Sequence, residues 1–550
     1  MKQGKKVQVW LPLLFAVVMI GGMVIGYKLR DNTQVASNVF RFDTKRSPLQ
    51  EVLDLVMLKY VDKVSVDTLG NAAIQDMLTK LDPHSNFIPA QHLGALTEDL
   101  QGNFQGIGIE FQLFRDTVNV VNVVPGGPSE KAGLQVGDKF LKVGDTTVTG
   151  GISSDRIKEL LRGPGGSKVT TTLLRNGQPI TVTITRGTIP LPSLDAAYLL
   201  EPETGYMRIS KFSETTYEEF MAGLEKLLGE GMKSLILDLR GNGGGILGEA
   251  VDMADEFLDG DKLIVYTEGN NMKRQEYRSR RNGLFEKGNL VLLMDEQSAS
   301  ASEVLAGALQ DWDRATIIGR RSFGKGLVQE QYQLSDGSAL RLTVARYYTP
   351  SGRSIQKPYD KGIEDYQDDL HKRFENGEMN NADSIHAANG KAYKTSKGRT
   401  VYGGGGIVPD VFVGADTTLL SSSVTALYRN NTIGNFTYLY YVRNRASVDE
   451  FKSPVSYNDA IRFSENDWQS LKKMAEQDSV KVGDFTSADL SFLSERMKAL
   501  IARYRWRSEG YFQVLNAGDE VVRKAMEEVH GSGGMEEGKK GEGKMEEGKK

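Results

Sequence analysis

The residues best suited to chemistry lie in the stretch 289–329. An apolar run, Leu290-Val291-Leu292-Leu293-Met294, reads as a buried strand. It leads into Ser298-Ala299-Ser300-Ala301-Ser302-Glu303 and a helical pattern with apolar Val304, Leu305, Ala308, Leu309 and Trp312. A second short strand, Ala315-Thr316-Ile317-Ile318, precedes a glycine-flanked lysine, Phe323-Gly324-Lys325-Gly326, with Gln329 four residues beyond Lys325. Strand, serine-bearing turn, helix, strand and lysine form a βαβ-type unit, which gathers polar groups at one end of a sheet. A serine hydroxyl is a weak nucleophile at neutral pH and needs a base. Histidine is the usual base, but the five in this chain, His84, His92, His371, His386 and His530, stand away from any small-residue turn suited to a nucleophile. A lysine can take that role when burial disfavours its ammonium form. Phe323, Leu327 and Val328 give Lys325 apolar neighbours of the required kind. On residue type alone, Ser298, Ser300 and Ser302 all remain open as the nucleophile.

Together these segments resemble the carboxyl-terminal processing peptidases, also called tail-specific proteases. Their motif joins a Ser-Ala-Ser-Ala-Ser-Glu turn to a Phe-Gly-Lys-Gly segment ending in Val-Gln, and the resemblance covers roughly residues 49–410. It implies that the middle serine is the nucleophile and that the base follows 25 positions later (325 − 300), which fits Ser300 and Lys325. It further implies Gln329 as a helper to the lysine. Arg240-Gly241-Asn242-Gly243-Gly244-Gly245 is similar to the family's Arg-x-Asn-x-Gly-Gly. That similarity implies an oxyanion hole made of the amides of Gly244, with Gly245 the alternative, and Ala301. Bare amides at a helix N-terminus suit a developing oxyanion because they need no reorganisation.

Ahead of this core, residues 103–187 read as a β-rich domain. Gly106-Ile107-Gly108-Ile109-Glu110-Phe111 opens a strand, helices follow at 128–134 and 155–161, and Asn176-Gly177 joins two alternating strands as a hairpin. The order resembles a PDZ domain, which adds an extended peptide to its sheet and captures the terminal carboxylate in a glycine loop. The resemblance implies that the amides of Ile107, Gly108 and Ile109 face that carboxylate. Its partners would be protein substrates with free apolar C-termini.

The expected fold is α+β and multidomain. A helical N-terminal region spans 47–102, the PDZ domain 103–187, and an α/β protease core 188–356 with 403–416. A polar insertion occupies 357–402, a mainly helical region 417–530, and a low-complexity, solvated tail 531–550. The insertion separates Gln356 from Gly406-Ile407-Val408-Pro409-Asp410, which follows almost directly in the family. A surface excursion is the simplest reading of it, with a partner site or a lid as alternatives. Leu81-Asp82-Pro83-His84-Ser85 is similar to a turn that the family places before its PDZ domain. His84 has no ligand-spaced partner and reads as structural.

The chain's 550 residues and 39% hydrophobic content support several cored domains. A net charge of −4 gives no reason to expect a nucleic-acid partner. The absence of cysteine excludes disulfides and thiolate catalysis. No cofactor and no metal site are expected. Lys2, Lys5 and Lys6 precede a nearly uncharged run at 7–27. This segment (1–30) reads as a signal peptide or, preferably, an uncleaved anchor, with the bulk of the chain outside the cytoplasm of a bacterial envelope.

Three short patterns mislead. Gly319-x-x-x-x-Gly324-Lys325 lacks the hydroxyl that a phosphate loop carries after its lysine, and Gly243-x-Gly245-x-x-Gly248 alone is a weak dinucleotide signal. Ser322-x-x-Lys325 would need a helix that Gly324 and Gly326 oppose. The resulting expectation is an exported serine endopeptidase that recognises protein C-termini and cuts with a Ser-Lys dyad. A non-catalytic tail-binding scaffold is the second reading and a nucleotide-binding enzyme the third. The presence of Ser300, Lys325 and Gln329 together favours the first. Physiological substrate, cleavage preference and oligomeric state, a homo-oligomer included, are not written in these motifs.

Overall fold

The computed structural model describes residues 16–24, 47–114, 116–385, 390–416 and 420–541. The chain divides into two units, 1–76 and 77–550. The first holds a helix at 16–24 and the helix Pro48–Lys59, which Ser47 caps by accepting from the Gln50 amide. Most of the apolar run expected to anchor the chain lies outside the described residues. No described helix is long and apolar enough to cross a membrane.

In the second unit, apolar runs without alternation become strands covered on both faces. The core sheet has the order Leu194–Glu201, Thr204–Ile209, Ser234–Asp238, Asn289–Met294, Thr316–Gly319, Val411–Phe412. Its first pair is antiparallel and every later pair parallel. On one face Leu235, Leu237 and Leu292 pack with Phe220, Leu224, Met253, Leu305 and Leu309 from the helices Thr216–Gly229, Leu247–Asp255 and Ala301–Asp311. On the other, Ile236, Val291, Leu293 and Ile318 meet Val521, Val522, Ala525 and Val529 of the helix Glu520–Gly541. Each larger apolar side chain contributes about 1.5–3 kcal/mol by leaving water. The C-terminal region, where the motif resemblance fades, therefore supplies half of the sheet's cover. Its last helix continues to Gly541, so the first part of the stretch expected to be a solvated tail is helical. Residues 542–550 lie outside the described residues.

Asp238, Met294 and Gly319 end three adjacent parallel strands. The loops that leave these ends carry the glycines 241–245, the serines 298–302 and Lys325. The crevice beyond the carboxyl ends of parallel strands is where α/β folds place their sites. A second sheet, Asn86–Ile88, Ala339–Tyr348, Leu263–Glu268, Gln275–Arg278, also pairs Ala339–Tyr348 with Leu327–Gln333. That pairing brings the turn at 82–85 beside the strand that bears Gln329.

The β-rich domain has a sheet ordered Ile109–Phe114, Thr117–Val123, Lys139–Val143, Lys168–Arg175, Gln178–Thr185 around Val118, Phe140, Ile157, Leu173 and Ile184. Its last hairpin turns at Asn176 (φ 50°) and Gly177 (φ 79°), the left-handed pair that a tight turn needs. Its two ends meet in an antiparallel ribbon, Asn103–Gly106 with Gly187–Pro190. C-terminal helices also reach it. Asn435 Oδ1 accepts from Gln112 (2.7 Å), Arg503 pairs with Glu110 (3.0 Å), and Arg507 donates to the Val123 carbonyl (2.8 Å). The domain is thus braced along its sheet as well as tethered at its ends.

Candidate active site

The turn after Asn289–Met294 is tightened by Asp295, whose Oδ1 accepts from the amides of Gln297 (3.1 Å), Ser298 (3.1 Å) and Gly241 (2.9 Å). The helix Ala301–Asp311 starts at once, and Ser300 is driven to φ 56°, ψ −114°, a region that residues with a Cβ rarely enter. Ser298 Oγ donates to the Leu239 carbonyl (2.8 Å) and Ser302 Oγ to the Asn242 carbonyl (3.0 Å), both fully buried. These two hydroxyls serve the fold. The Ser300 hydroxyl, 7% exposed as a residue, instead meets the phenol of Tyr347. Burial, partly offset by that hydrogen bond, pushes Tyr347 up to about 12.

Glu303 organises the centre. Its fully buried carboxylate accepts at Oε2 from the amides of Ser300 (2.8 Å) and Lys325 (2.9 Å). At Oε1 it accepts from the Gly324 amide (2.8 Å) and Ser322 Oγ (2.5 Å). One side chain therefore joins the serine turn to the lysine loop. Burial raises its pKa, and these hydrogen bonds oppose the rise. The sequence reading gave Glu303 no role. The Ser-x-x-Glu spacing of a capping box was the signal that could have found it.

Lys325 Nζ donates to Gln329 Oε1 (2.9 Å), and Gln329 Nε2 donates to the His84 carbonyl (2.7 Å). Burial lowers the lysine's pKa and the charge of Arg341 acts in the same direction, while Glu303 and Asp82 oppose it. In this state the lysine bonds Gln329 and not Ser300. His84 was expected to be structural. Its ring Nε2 lies 2.7 Å from the Tyr366 hydroxyl, and burial, with the nearby charge of Lys325, brings its pKa down to about 4.

The glycine loop is tied to the serine turn through Asn242. Its carbonyl accepts from the Ala299 amide (2.9 Å) and Ser302 Oγ, and its Nδ2 donates to the Ile209 carbonyl (3.0 Å). Gly244 (φ 95°) lies so close that a Cβ on it would stand 2.7 Å from Ser300 Cβ and 2.9 Å from the Ala301 nitrogen. Only glycine permits this approach. The Gly244 amide donates to Asn242 Oδ1 (2.9 Å), so the donor expected for the oxyanion is beside the serine but already engaged. Ala301 occupies the first turn of the helix, where amides lack intrahelical acceptors. At Gly245 a Cβ would collide with the Phe212 carbonyl. The strand end from which this loop departs is fixed by Asp238, which accepts from Tyr206 (2.7 Å), Arg208 (2.9 Å) and Arg240 (2.6 Å). Burial alone would raise its pKa, but the two guanidiniums hold it well below the usual carboxylate range.

In the β-rich domain a cavity of about 380 Å³ lies between Ile109–Phe114 and the helix Ser154–Leu161, lined by Phe104, Gly108, Ile109, Phe111 and Leu161 among others. The carbonyls of Ile107 and Gly108 are taken by the amides of Ser129 (2.9 Å) and Val124 (3.0 Å), and Gly108 turns with φ 74°. The Ile107 side chain belongs to the domain core. It brings a backbone amide to the cavity more than an apolar wall.

The insertion departs from the simplest expectation. Lys357, Tyr366, Arg373 and Glu378 are all buried, and Tyr366 stands over Phe323 with ring centroids 5.9 Å apart. Neither Tyr366 nor Arg373 carried a signal in the sequence, because their partners are a histidine ring and backbone carbonyls far along the chain.

A serine in a strained turn, next to amides at a helix start, suits acyl transfer. Comparison with known proteins points the same way. Residues 203–366 match Peptidase family S41, 120–175 match PDZ domain, and 423–507 match a Family of unknown function (DUF8443). The chain is 36% identical over 313 residues to a Carboxy-terminal-processing protease of Bartonella bacilliformis, covering 56% of this chain and 71% of that one. It is 34% identical over 317 residues to a Probable CtpA-like serine protease of Staphylococcus saprophyticus, covering 57% of this chain and 63% of that one. A solved Photosystem II D1 C-terminal processing protease is 29% identical, with 69% of this chain and 90% of that chain covered at a TM-score of 0.34. The family matches and the Bartonella relative make the chain a serine-type peptidase with a PDZ domain. Within that class it belongs to the carboxy-terminal-processing proteases of peptidase family S41.

Proposed function

We propose that this chain is an exported endopeptidase that holds a protein's free C-terminus in its PDZ groove and cuts that protein with Ser300, Lys325 and Gln329. The observation that carries this reading is the shared carboxylate oxygen. Glu303 Oε2 takes both the Ser300 and the Lys325 amide, which fixes nucleophile and base to one point. In the reaction the Ser300 hydroxyl turns from Tyr347 to a neutral Lys325. The lysine takes the proton as Oγ bonds to the scissile carbonyl carbon, and the carbonyl electron pair moves to its oxygen. That oxygen is received by the Ala301 amide and by the Gly244 amide once it leaves Asn242. The ammonium then gives its proton to the departing amine, and water repeats the cycle on the acyl-enzyme. Gln329 keeps Nζ aimed through the cycle.

The tail would add as a strand beside Ile109–Phe114, with its carboxylate on the amides of Ile107, Gly108 and Ile109. A tagged model protein ending in a free apolar residue is expected to be cut at least about tenfold faster than the same protein ending in an amide or Asp-Asp. Intact masses of the products report cut position and rate together. Equal rates for all three tails would remove the tail-recognition part of the proposal.

The basic flank and apolar run at the N-terminus support a membrane anchor in a bacterial envelope, with the catalytic part outside the cytoplasm. Fractionation is expected to find the chain on the membrane. A soluble mature chain beginning near Asn38 would mean a cleaved signal instead.

A further inference from the structure

The loop that carries Lys325 runs from Arg320 to Gly326, between the strands Thr316–Gly319 and Leu327–Gln333. Backbone polar groups in such a loop must find partners or remain solvated. The sources of those partners are uneven. The serine turn and the glycine-isoleucine segment supply the amides: Phe323 N bonds the Ser298 carbonyl (3.0 Å), Ser322 N the Ile407 carbonyl (3.0 Å), and Gly324 and Lys325 the Glu303 carboxylate. The carbonyls are held differently. Arg373, on the helix Asp369–Glu375 of the insertion, donates through Nη1 to the carbonyls of Arg321 (3.2 Å) and Ser322 (2.9 Å) and through Nη2 to that of Phe323 (3.2 Å). The next carbonyl, Gly324, takes the Lys357 amide (2.9 Å).

Arg373 is 3% exposed, and Asp369 pairs with it at 2.9 Å. Its guanidinium is therefore a desolvated cation whose two Nη groups serve three consecutive carbonyls directly before Gly324-Lys325, and Asp369, while its buried Nε has no partner. A planar fork fits such a row, and a single ammonium does not. The same insertion supplies Tyr366. That residue closes a path from Lys325 through Gln329 and the His84 residue to its own hydroxyl, and from there to Gln356 (3.4 Å), whose Oε1 accepts from the Gly326 amide (2.8 Å). The match to Peptidase family S41 ends at residue 366, so Arg373 and its helix lie beyond it.

We infer that residues 357–373 of the insertion are a working part of the active site, with Arg373 a positioning residue that fixes the lysine-bearing loop and Tyr366 closing the bonds around the base. The inference rests on Lys325 being the base. Misplacing a base by about 1 Å costs on the order of 100-fold in rate, so loosening this loop should act on turnover and leave tail binding alone.

The test compares Arg373→Ala, Arg373→Lys and Lys325→Arg in the full chain, with a tailed, internally quenched peptide as substrate. For Arg373→Ala, kcat is expected to fall about 10- to 100-fold while KM and binding of the isolated tail peptide stay close to wild type; the melting transition falls as well, because three buried carbonyls lose their donor. Low-millimolar guanidinium should restore part of the lost kcat in Arg373→Ala and none in Lys325→Arg. Arg373→Lys should resemble Arg373→Ala without guanidinium. Wild-type kcat in Arg373→Ala would overturn the inference. So would a loss of kcat that comes with lost tail binding and is not recovered by guanidinium, which would make Arg373 a folding residue only. Activity in Lys325→Arg would sink the base assignment itself, a separate failure that the Arg373 variants do not produce.

Discussion

Replacing Ser300 by alanine is expected to reduce cleavage by about 10⁴- to 10⁶-fold while the chain still folds and still binds a tail peptide. The substitution removes one hydroxyl that stands against the Tyr347 phenol. It leaves untouched the Ser300 amide on Glu303, which carries the structural load at this position. The flanking serines should behave in the opposite way. Ser298 and Ser302 give their buried hydroxyls to the carbonyls of Leu239 and Asn242. Alanine at either removes one of two donors to a buried carbonyl, at about 0.5–1.5 kcal/mol, so melting temperature should fall while the folded fraction keeps its chemistry. Turnover by Ser300→Ala comparable to wild type, with Ser302→Ala or Ser298→Ala dead, would move the nucleophile elsewhere. Steady-state rates and melts on the three variants decide it.

The second large effect belongs to Lys325. Lys325→Arg is expected to lose about 10²- to 10⁴-fold in kcat/KM, because a guanidinium keeps its proton at any working pH. Lys325→Met should lose as much, since it keeps the apolar stem and removes the nitrogen. Gln329→Ala should be milder. It removes the acceptor that aims Nζ but leaves the amine in place. A Lys325→Met variant that cleaves as fast as wild type would show that the base is another group.

Much of this centre was legible in the sequence because its elements are local. Unalternated apolar runs such as Leu290–Met294 announce strands buried on both sides, and the small-residue turn that follows must lead into a helix. The choice of Ser300 over its neighbours came from family resemblance, and the structure supplies a physical reason to set the others apart. The hydroxyls of Ser298 and Ser302 bond carbonyls some 60 residues away, at Leu239 and Asn242, which no local pattern reveals. The engaged amide of Gly244 was hidden for a related reason, since an asparagine side chain two residues back competes for it. Glu303 was readable as a capping residue, yet its reach to Lys325 depends on the sheet bringing two loops together. The insertion was read as a surface excursion because its composition is polar. What composition cannot show is that Arg373 and Glu378 are buried against the catalytic loop, where Glu378 pairs with Arg321 at 2.5 Å. The mainly helical reading of 417–530 gives the final helix no partner until the uncovered face of the core sheet is seen to need it.

The central claim is that a buried, neutral lysine activates Ser300, and the most direct test is kcat/KM of the wild-type chain as a function of pH. Lys325 is held below the ordinary lysine value of about 10.4 by burial first and by Arg341 second, with Glu303 and Asp82 pulling the other way. Below its pKa it is an ammonium and cannot take the serine's proton, so activity must rise as pH rises through that value. Of its neighbours, His84 is brought down to about 4 and Tyr347 is pushed up to about 12. The account predicts a rising limb that lies below the ordinary lysine value of about 10.4, with a plateau above it, that disappears in Lys325→Arg. A flat profile below that value would contradict it.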